Sequence, residues 1–291
     1  MLTELINVIA PVFVCAAIGF IWKRQGRPFD IDLISTIAVY IGTPCLAFYT
    51  LTSANLDPDS FNIMALAAVV TMVAFVVLYV PILKIAGLSQ RAFLPALTFA
   101  NVGNMGLPLS LLAFGEQGLA LAVTYYAVNV VIMFSFGIAV AAGAANWRAL
   151  LRIPVIYAIA AAVAFLYTGT QPPVWISNTT RILGELTIPL MLILLGVSLA
   201  GLGVQSLSRS AILSILRLVS GFAVGWATAE IFGMEGVAKG VLILQCTMPV
   251  AVFNYLFALQ YGNQPEEVAG TVVISSVLSF MTLPLLLFYI M

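Results

Sequence analysis

The stretch Asn101–Ser110 reads NVGNMGLPLS. It lies between AFLPALTFA (92–100) and LLAF (111–114), which are nearly all apolar. Two amides (Asn101, Asn104), two glycines (Gly103, Gly106) and Pro108 interrupt what would otherwise be a continuous apolar helix. Proline removes a helix hydrogen bond and clashes with the preceding turn, and glycine weakens the helix further. In lipid, each unpaired backbone group costs several kcal/mol, so a break there must face protein or a polar cavity. The plain reading is a kink that lets helices pack closely. The sharper reading is a break that builds a binding site.

Composition decides which setting applies. Of 291 residues, 63% are hydrophobic and 8% charged. An ordinary soluble domain is about half apolar and about a quarter charged. This chain reads as an all-α, multi-spanning membrane protein whose partner is the lipid bilayer. Its net charge is zero, which offers no basic face to nucleic acid. It has no histidine, which removes His general bases, Ser-His triads and most His-metal sites. Cys15, Cys45 and Cys246 lie far apart in apolar runs and match no metal spacing. Neither a metal nor a cofactor is expected. At the N-terminus the positive charges follow the apolar run, so it reads as a first span and not as a signal peptide.

Polar punctuation marks ten candidate spans: 3–22, 32–53, 61–84, 92–114, 118–145, 150–168, 178–202, 207–232, 236–259 and 267–290. Lys23, Arg24, Arg27, Lys84, Arg91, Arg148, Arg152 and Arg209 fall in alternate loops. The other side has only Arg181 and Lys239, with Asp57, Asp59 and Glu116. Positive loops stay cytoplasmic, so both termini are expected outside.

The prolines suggest a repeat. Pro11, Pro28, Pro44 and Pro108 are spaced by 17, 16 and 64 residues. Pro154, Pro172, Pro189 and Pro249 are spaced by 18, 17 and 60. Two five-span halves, 1–145 and 146–291, would enter the membrane from opposite sides. That is the inverted repeat of many secondary transporters.

Span 9 contains LILQCTMPVAVFNY (242–255), with a proline at the place matching the break in span 4. Interrupted segments at corresponding positions point to a substrate site. Each break would expose a helix N-terminus worth about +0.5 charge, and neither contains an acid. A small organic anion, above all a carboxylate, suits such a site. The expected ligands are Asn101, Gly103, Asn104, Gly106 and Pro108 from one half. Thr247, Met248, Pro249 and Asn254 would act from the other. Tyr125, Tyr126 and Asn129 are candidates to line the site from span 5, although interfacial anchoring is the commoner role for such tyrosines. Glu185 precedes Pro189 by one turn and can pair with Arg181; the alternatives are an ion pair at the outer mouth and a proton-coupling group. Arg217 is placed one to two turns from the cytoplasmic end of span 8. There it would snorkel or draw anions to the inner vestibule.

These segments also resemble a known family. FANVGNMGLPLSLLAFGEQGLALAV (99–123), ELTIPLMLILLGVSLAGLG (185–203), TMPVAVFNYLFALQYG (247–262) and SSVLSFMTLPLLL (275–287) are similar to signature blocks of auxin efflux carriers. The likeness is to the compact bacterial type. The resemblance implies ten helices in two inverted repeats, with broken helices 4 and 9 crossing at Pro108 and Pro249. It implies a scaffold part (1–55 and 146–204) and a transport part (56–145 and 205–291) that move like an elevator. It further implies a homodimer in the bacterial inner membrane carrying auxin-like acids, malonate or malate. It assigns no role to Glu185 or Arg217. A sodium-coupled carrier of the bile-acid type, which needs sodium ligands at the crossing, is the first alternative. A channel is the second, and an intramembrane enzyme lacks its catalytic groups.

Overall fold

The computed structural model of the chain describes residues 2–54, 56–144 and 151–291. Arg148, the first residue of the sixth expected span and the boundary between the two expected halves lie outside the described residues.

The described residues are helical, and their one β-bridge joins two helix interruptions. The helices are α1 (Leu2–Arg24), α2 (Ile31–Ser53), α3 (Pro58–Ile85), α4 (Gln90–Thr98), α5 (Leu107–Ile132), α6 (Pro154–Thr168), α7 (Val174–Gly201), α8 (Leu207–Ile231), α9 (Gly236–Thr247), α10 (Val252–Gln260) and α11 (Pro265–Ile290). Among the described residues, seven stretches are long and apolar enough to cross a membrane: Leu5–Arg24, Ile31–Ser53, Pro58–Ile85, Val102–Ala142, Val174–Gly201, Leu207–Ile231 and Pro265–Ile290. α6 and α9 are apolar but shorter.

Local chemistry explains the boundaries. Asp57 accepts a hydrogen bond from the Ser60 N–H at 2.8 Å, and Pro58 follows it at the first helical position. Bonding to Ser60 holds the Asp57 carboxyl below the usual carboxylate range. Ser89 caps α4 in the same way. Within the stretch Val102–Ala142, Gly115 adopts φ 66°, ψ −159°, a conformation that only glycine takes readily. It divides the stretch where the sequence GEQG follows Phe114. α7 is interrupted near Leu186, three residues before Pro189, whose missing N–H ends the regular pattern. Three π turns, Ala38–Gly42, Val102–Gly106 and Met133–Gly137, add a residue to a turn inside α2, before α5 and after it.

Two packing groups share the core. In the first, α1 lies along the second half of α7, and α2 packs on α6 and on the first half of α7. In the second, α8 packs on α9 and α11, α5 packs on α3 and α9, and α10 packs on α11. Glycines bring backbones together inside each group. In the first, a Cβ on Gly19 would strike the Ile193 carbonyl, and one on Gly196 the Ala16 carbonyl. Gly42 sits against Thr187 and Gly184 against Leu46. In the second, Gly221 and Gly225 on α8 sit against Cys246, Gly270 against Ser210 and Gly106 against Gln245. Among the described residues, no glycine contact this close joins one group to the other.

Candidate functional site: two interrupted helices and the cavity between their ends

α4 ends at Thr98, and the chain runs extended through Phe99 before the π turn at Val102–Gly106. α9 ends at Thr247, and an extended segment leads to α10 at Val252. The two interruptions meet antiparallel at Ala100 and Val250. The Asn101 N–H donates to the Pro249 carbonyl at 2.7 Å, and the Ala251 N–H to the Phe99 carbonyl at 3.3 Å. Two of the backbone donors freed by the breaks are thus taken up across the pairing. Two side chains complete the pairing. Asn254 Nδ2 donates to the Phe99 carbonyl at 2.8 Å, and Ser275 Oγ accepts the Val250 N–H at 3.1 Å.

Val250 is fully buried, so no water can replace Ser275 there. Ser275→Ala is therefore expected to destabilise the fold by about 1–3 kcal/mol, the cost of an unsatisfied buried donor. Thermal unfolding in detergent measures this, and an unchanged midpoint would refute the assignment.

A small cavity of about 50 Å³ lies against this pairing. Asn101, Gly103, Asn104, Tyr126 and Asn129 line it, with Phe253 from the second interruption. It has room for a few waters. The starts of the π turn and of α10 carry no side-chain cap. Their first N–H groups lack intrahelical partners, and residues Val102–Asn104, Ala251 and Phe253 border the cavity. Asn101 is buried and its Nδ2 has no partner; the same holds for Asn129 Oδ1. Gly103 is needed because a Cβ would press on the Tyr126 ring at 3.1 Å. Two uncapped helix starts and an unpaired amide donor stand on a wall with no acid, and donors of this kind favour negative charge.

A larger vestibule of about 620 Å³ reaches the same place from one side. Its wall includes Lys23, Asp32, Ser35, Ser198, Asn104 and Phe253. Asn104 and Phe253 belong to both walls, so they stand between vestibule and cavity.

The comparison with known proteins fits this architecture. The family described as "Membrane transport protein" matches residues 5–146 and 140–287, nearly the whole chain. The chain belongs to this family. Similar to it is an uncharacterized transporter of Methanocaldococcus jannaschii, 23% identical over 96% of each chain. So is an uncharacterized transporter of Methanothermobacter thermautotrophicus, 24% identical over 96% of each. A protein of Rhizobium meliloti named "Putative malonate transporter" is 23% identical over 99% of this chain and 97% of its own. The auxin efflux carrier resemblance is borne out at the level of the family. The protein is a multi-pass membrane transporter and not an enzyme.

Several members of this transporter's expected site stand elsewhere. Tyr125 does not reach the cavity. It is fully buried, its hydroxyl lies 3.2 Å from Thr71 Oγ1 and 3.4 Å from Cys246 Sγ, and it faces α3 and α9. Successive helix positions point about 100° apart, so Tyr126 takes the cavity side. Asn254 spends its amide nitrogen on the Phe99 carbonyl and acts as a tie between the breaks. Thr247 Oγ1 donates to the Ile243 carbonyl, Pro108 opens α5, and neither lines the cavity; nor do Gly106 and Met248. Gly106 instead lets the Gln245 amide approach, and Gln245 Nε2 donates to Ser110 at 3.1 Å. Val39, Met191 and Phe253 are among the apolar residues of the wall, which no polar signal marks in the sequence.

Glu185 is exposed and paired with Arg181 at 3.1 Å, away from both cavities. Arg217 does not snorkel and does not line the vestibule. It lies ten residues beyond Leu207, about 15 Å along α8, and is fully buried. Its guanidinium sits 4.7 Å from the centre of the Phe75 ring, and neither Nε nor either Nη has a hydrogen-bond partner.

Proposed function

We propose that the protein is a secondary transporter that carries a small organic anion by alternating access. The anion binds between the starts of the Val102–Gly106 turn and α10. The carrying observation is the cavity wall: two uncapped helix starts, the unpaired Asn101 amide and no acidic side chain. A carboxylate satisfies those donors. The malonate in the name of the Rhizobium meliloti relative is a small dicarboxylate.

The chain crosses the membrane ten times as two inverted five-helix repeats. Supporting this, the stretch Val102–Ala142 would span about 60 Å as one helix, twice the hydrocarbon thickness, and it turns at Gly115. α4 with the turn and start of α5, and α9 with α10, each make one interrupted crossing. Both termini face outward, because the ends carrying Lys23, Lys84, Arg91, Arg152 and Arg209 stay in the cytoplasm. By the same rule the vestibule beside Lys23 opens inward. The protein works as a homodimer in the bacterial inner membrane.

The glycine contacts support a division into two moving parts. α1, α2, α6 and α7 form the scaffold, and α3–α5 with α8–α11 form the transport body. Backbones locked within each group, with side-chain contacts between groups, suit two rigid bodies that slide. A cavity of about 50 Å³ suits a carrier better than an open pore.

The test is uptake of labelled malonate, an aromatic monocarboxylate and neutral malonamide by proteoliposomes, with and without sodium. Saturable uptake with counterflow, confined to the carboxylates and indifferent to sodium, is expected. Malonamide moving as fast as malonate would overturn the anion site. A strict need for sodium would favour the symporter alternative.

A further inference from the structure

Arg217 is the one charged side chain that is buried among the described residues. The acids and bases at the ends of α3, α8, α9 and α11 and at the Gly115 division of α5, such as Asp57, Glu116, Arg209, Glu230 and Glu267, are exposed or partly so. None of them pairs with it. A buried guanidinium keeps its charge, and a charge held in the membrane interior without a counter-ion is costly and marks function. The surroundings soften the cost without cancelling the charge. Phe75 presents its ring face, and the guanidinium stands by the last turn of α9, since a Cβ on Gly221 would touch both the Cys246 carbonyl and Arg217 Nη1. The carbonyl end of a helix is partially negative, which favours a cation there. A dipole end and a ring quadrupole add no net charge. The α8–α9–α11 group therefore carries one uncompensated positive charge near mid-membrane, behind the crossing.

We propose that Arg217 is the resident counter-charge of the transport body. It travels with that body and decides which half of the cycle feels the membrane potential. The inference rests on the two-body carrier reading above. Within the membrane interior, where Arg217 is the one buried charge, a body holding a monoanion moves with net charge zero and the empty body moves with charge +1. Under an inside-negative potential the empty body is drawn to the cytoplasmic side, which agrees with the open vestibule beside Lys23. Loading then occurs from the cytoplasm, the neutral complex moves outward, and the potential resets the empty carrier. With a dianion the loaded body carries −1, and both half-cycles respond. A full unit charge crossing 100 mV shifts the balance of facing states about fifty-fold, so even part of the field gives a measurable effect.

The experiment uses the full-length protein in liposomes clamped with potassium and valinomycin at zero and at about −100 mV. Labelled malonate, a dianion at neutral pH, and its monomethyl ester, a monoanion, are the probes. Exchange at equal concentrations reads the loaded body alone, and net efflux reads both half-cycles. Wild type is expected to exchange the monoester with no voltage effect and malonate with a clear one, while net efflux of both speeds up under inside-negative potential. In Arg217→Gln and Arg217→Met, monoester exchange becomes voltage-sensitive and the malonate effect grows, by one charge in each case. Arg217→Lys keeps the wild-type pattern. Equal voltage dependence of exchange in wild type and the neutral variants would overturn the proposal while leaving the carrier intact. If the neutral variants do not fold, the wild-type comparison decides, and monoester exchange as voltage-sensitive as its net efflux would refute it. Absence of any saturable exchange in wild type would instead remove the carrier reading, and this inference with it.

Discussion

Gly196→Ala is expected to lower the thermal midpoint in detergent by on the order of 10 °C, while Gly203→Ala leaves it unchanged. The difference lies in what a single methyl would meet. At Gly196 it would enter the space of the Ala16 carbonyl oxygen and crowd the Phe20 amide, and nothing lies within 4 Å of the corresponding point on Gly203. Backbone cannot move aside as a flexible side chain can. The methyl must push α1 away from α7 along their shared length, and Gly19, facing Ile193 in the same seam, is pulled out with it. In a bilayer this matters more than in water, because lipid tails compete equally well for apolar side chains. Helix association then depends on close backbone approach. An overpacked contact costs about 3 kcal/mol when the neighbours cannot yield. The measurement is a melting curve of the purified variant, with recovery after gel filtration as a second readout. A Gly196→Ala protein as stable as Gly203→Ala would show that α1 and α7 are not held by this seam. The elevator reading would then lose its rigid scaffold.

The sequence announces the interruptions because broken helices need particular residues. NVGNMGLPLS and QCTMPVAVFN each concentrate glycine, proline or amides inside an apolar run, and apolar runs are easy to delimit. The division at Gly115 is legible for the same reason, since GEQG cannot continue an apolar helix comfortably. What the sequence hides is orientation about each helix axis. Tyr125 and Tyr126 are indistinguishable on paper, and their separation into core and cavity depends on how α5 is rotated against α3 and α9. The π turn at Val102–Gly106 shifts that rotation by a fraction of a turn, and the final glycine that AVYIG, VGNMG and MFSFG share does not mark them, because glycine also stands inside regular helices such as α8. The burial of Arg217 is hidden for a related reason. A lone arginine in an apolar span can reach for water or be enclosed, and the enclosure is supplied by Phe75, Gly221 and Cys246 from three different parts of the chain. Asn254 shows the limit for amides: composition identifies it as a polar group at a break but does not reveal that the Phe99 carbonyl already occupies it.

The double substitution Asn101→Ala with Asn104→Ala is expected to weaken substrate binding at least 100-fold while leaving the fold intact. The backbone N–H of Asn101 holds the Pro249 carbonyl, and an alanine there keeps this bond. The Asn101 side chain has an unpaired Nδ2, and the Asn104 side chain stands on the walls of both cavity and vestibule. Removing the two amides thus takes away donors held ready for a ligand and breaks no recorded side-chain bond. A hydrogen bond to a charged group is worth about 1.5–3 kcal/mol, so two together contribute at least about 3 kcal/mol, or more than 100-fold in affinity. Asn62→Ala is the control, because that amide lies outside the cavity and accepts from Tyr167. Binding of labelled malonate to purified protein reads the loss directly, and the melting curve separates it from misfolding. Asn254→Ala should behave the other way, with a lower melting point because the Phe99 carbonyl keeps only its longer bond from the Ala251 N–H, and a smaller change in affinity for whatever protein survives. If the double variant binds malonate as wild type does, the anion is not held at the Asn101–Asn104 wall. The uncapped helix starts would then have to be explained by packing alone.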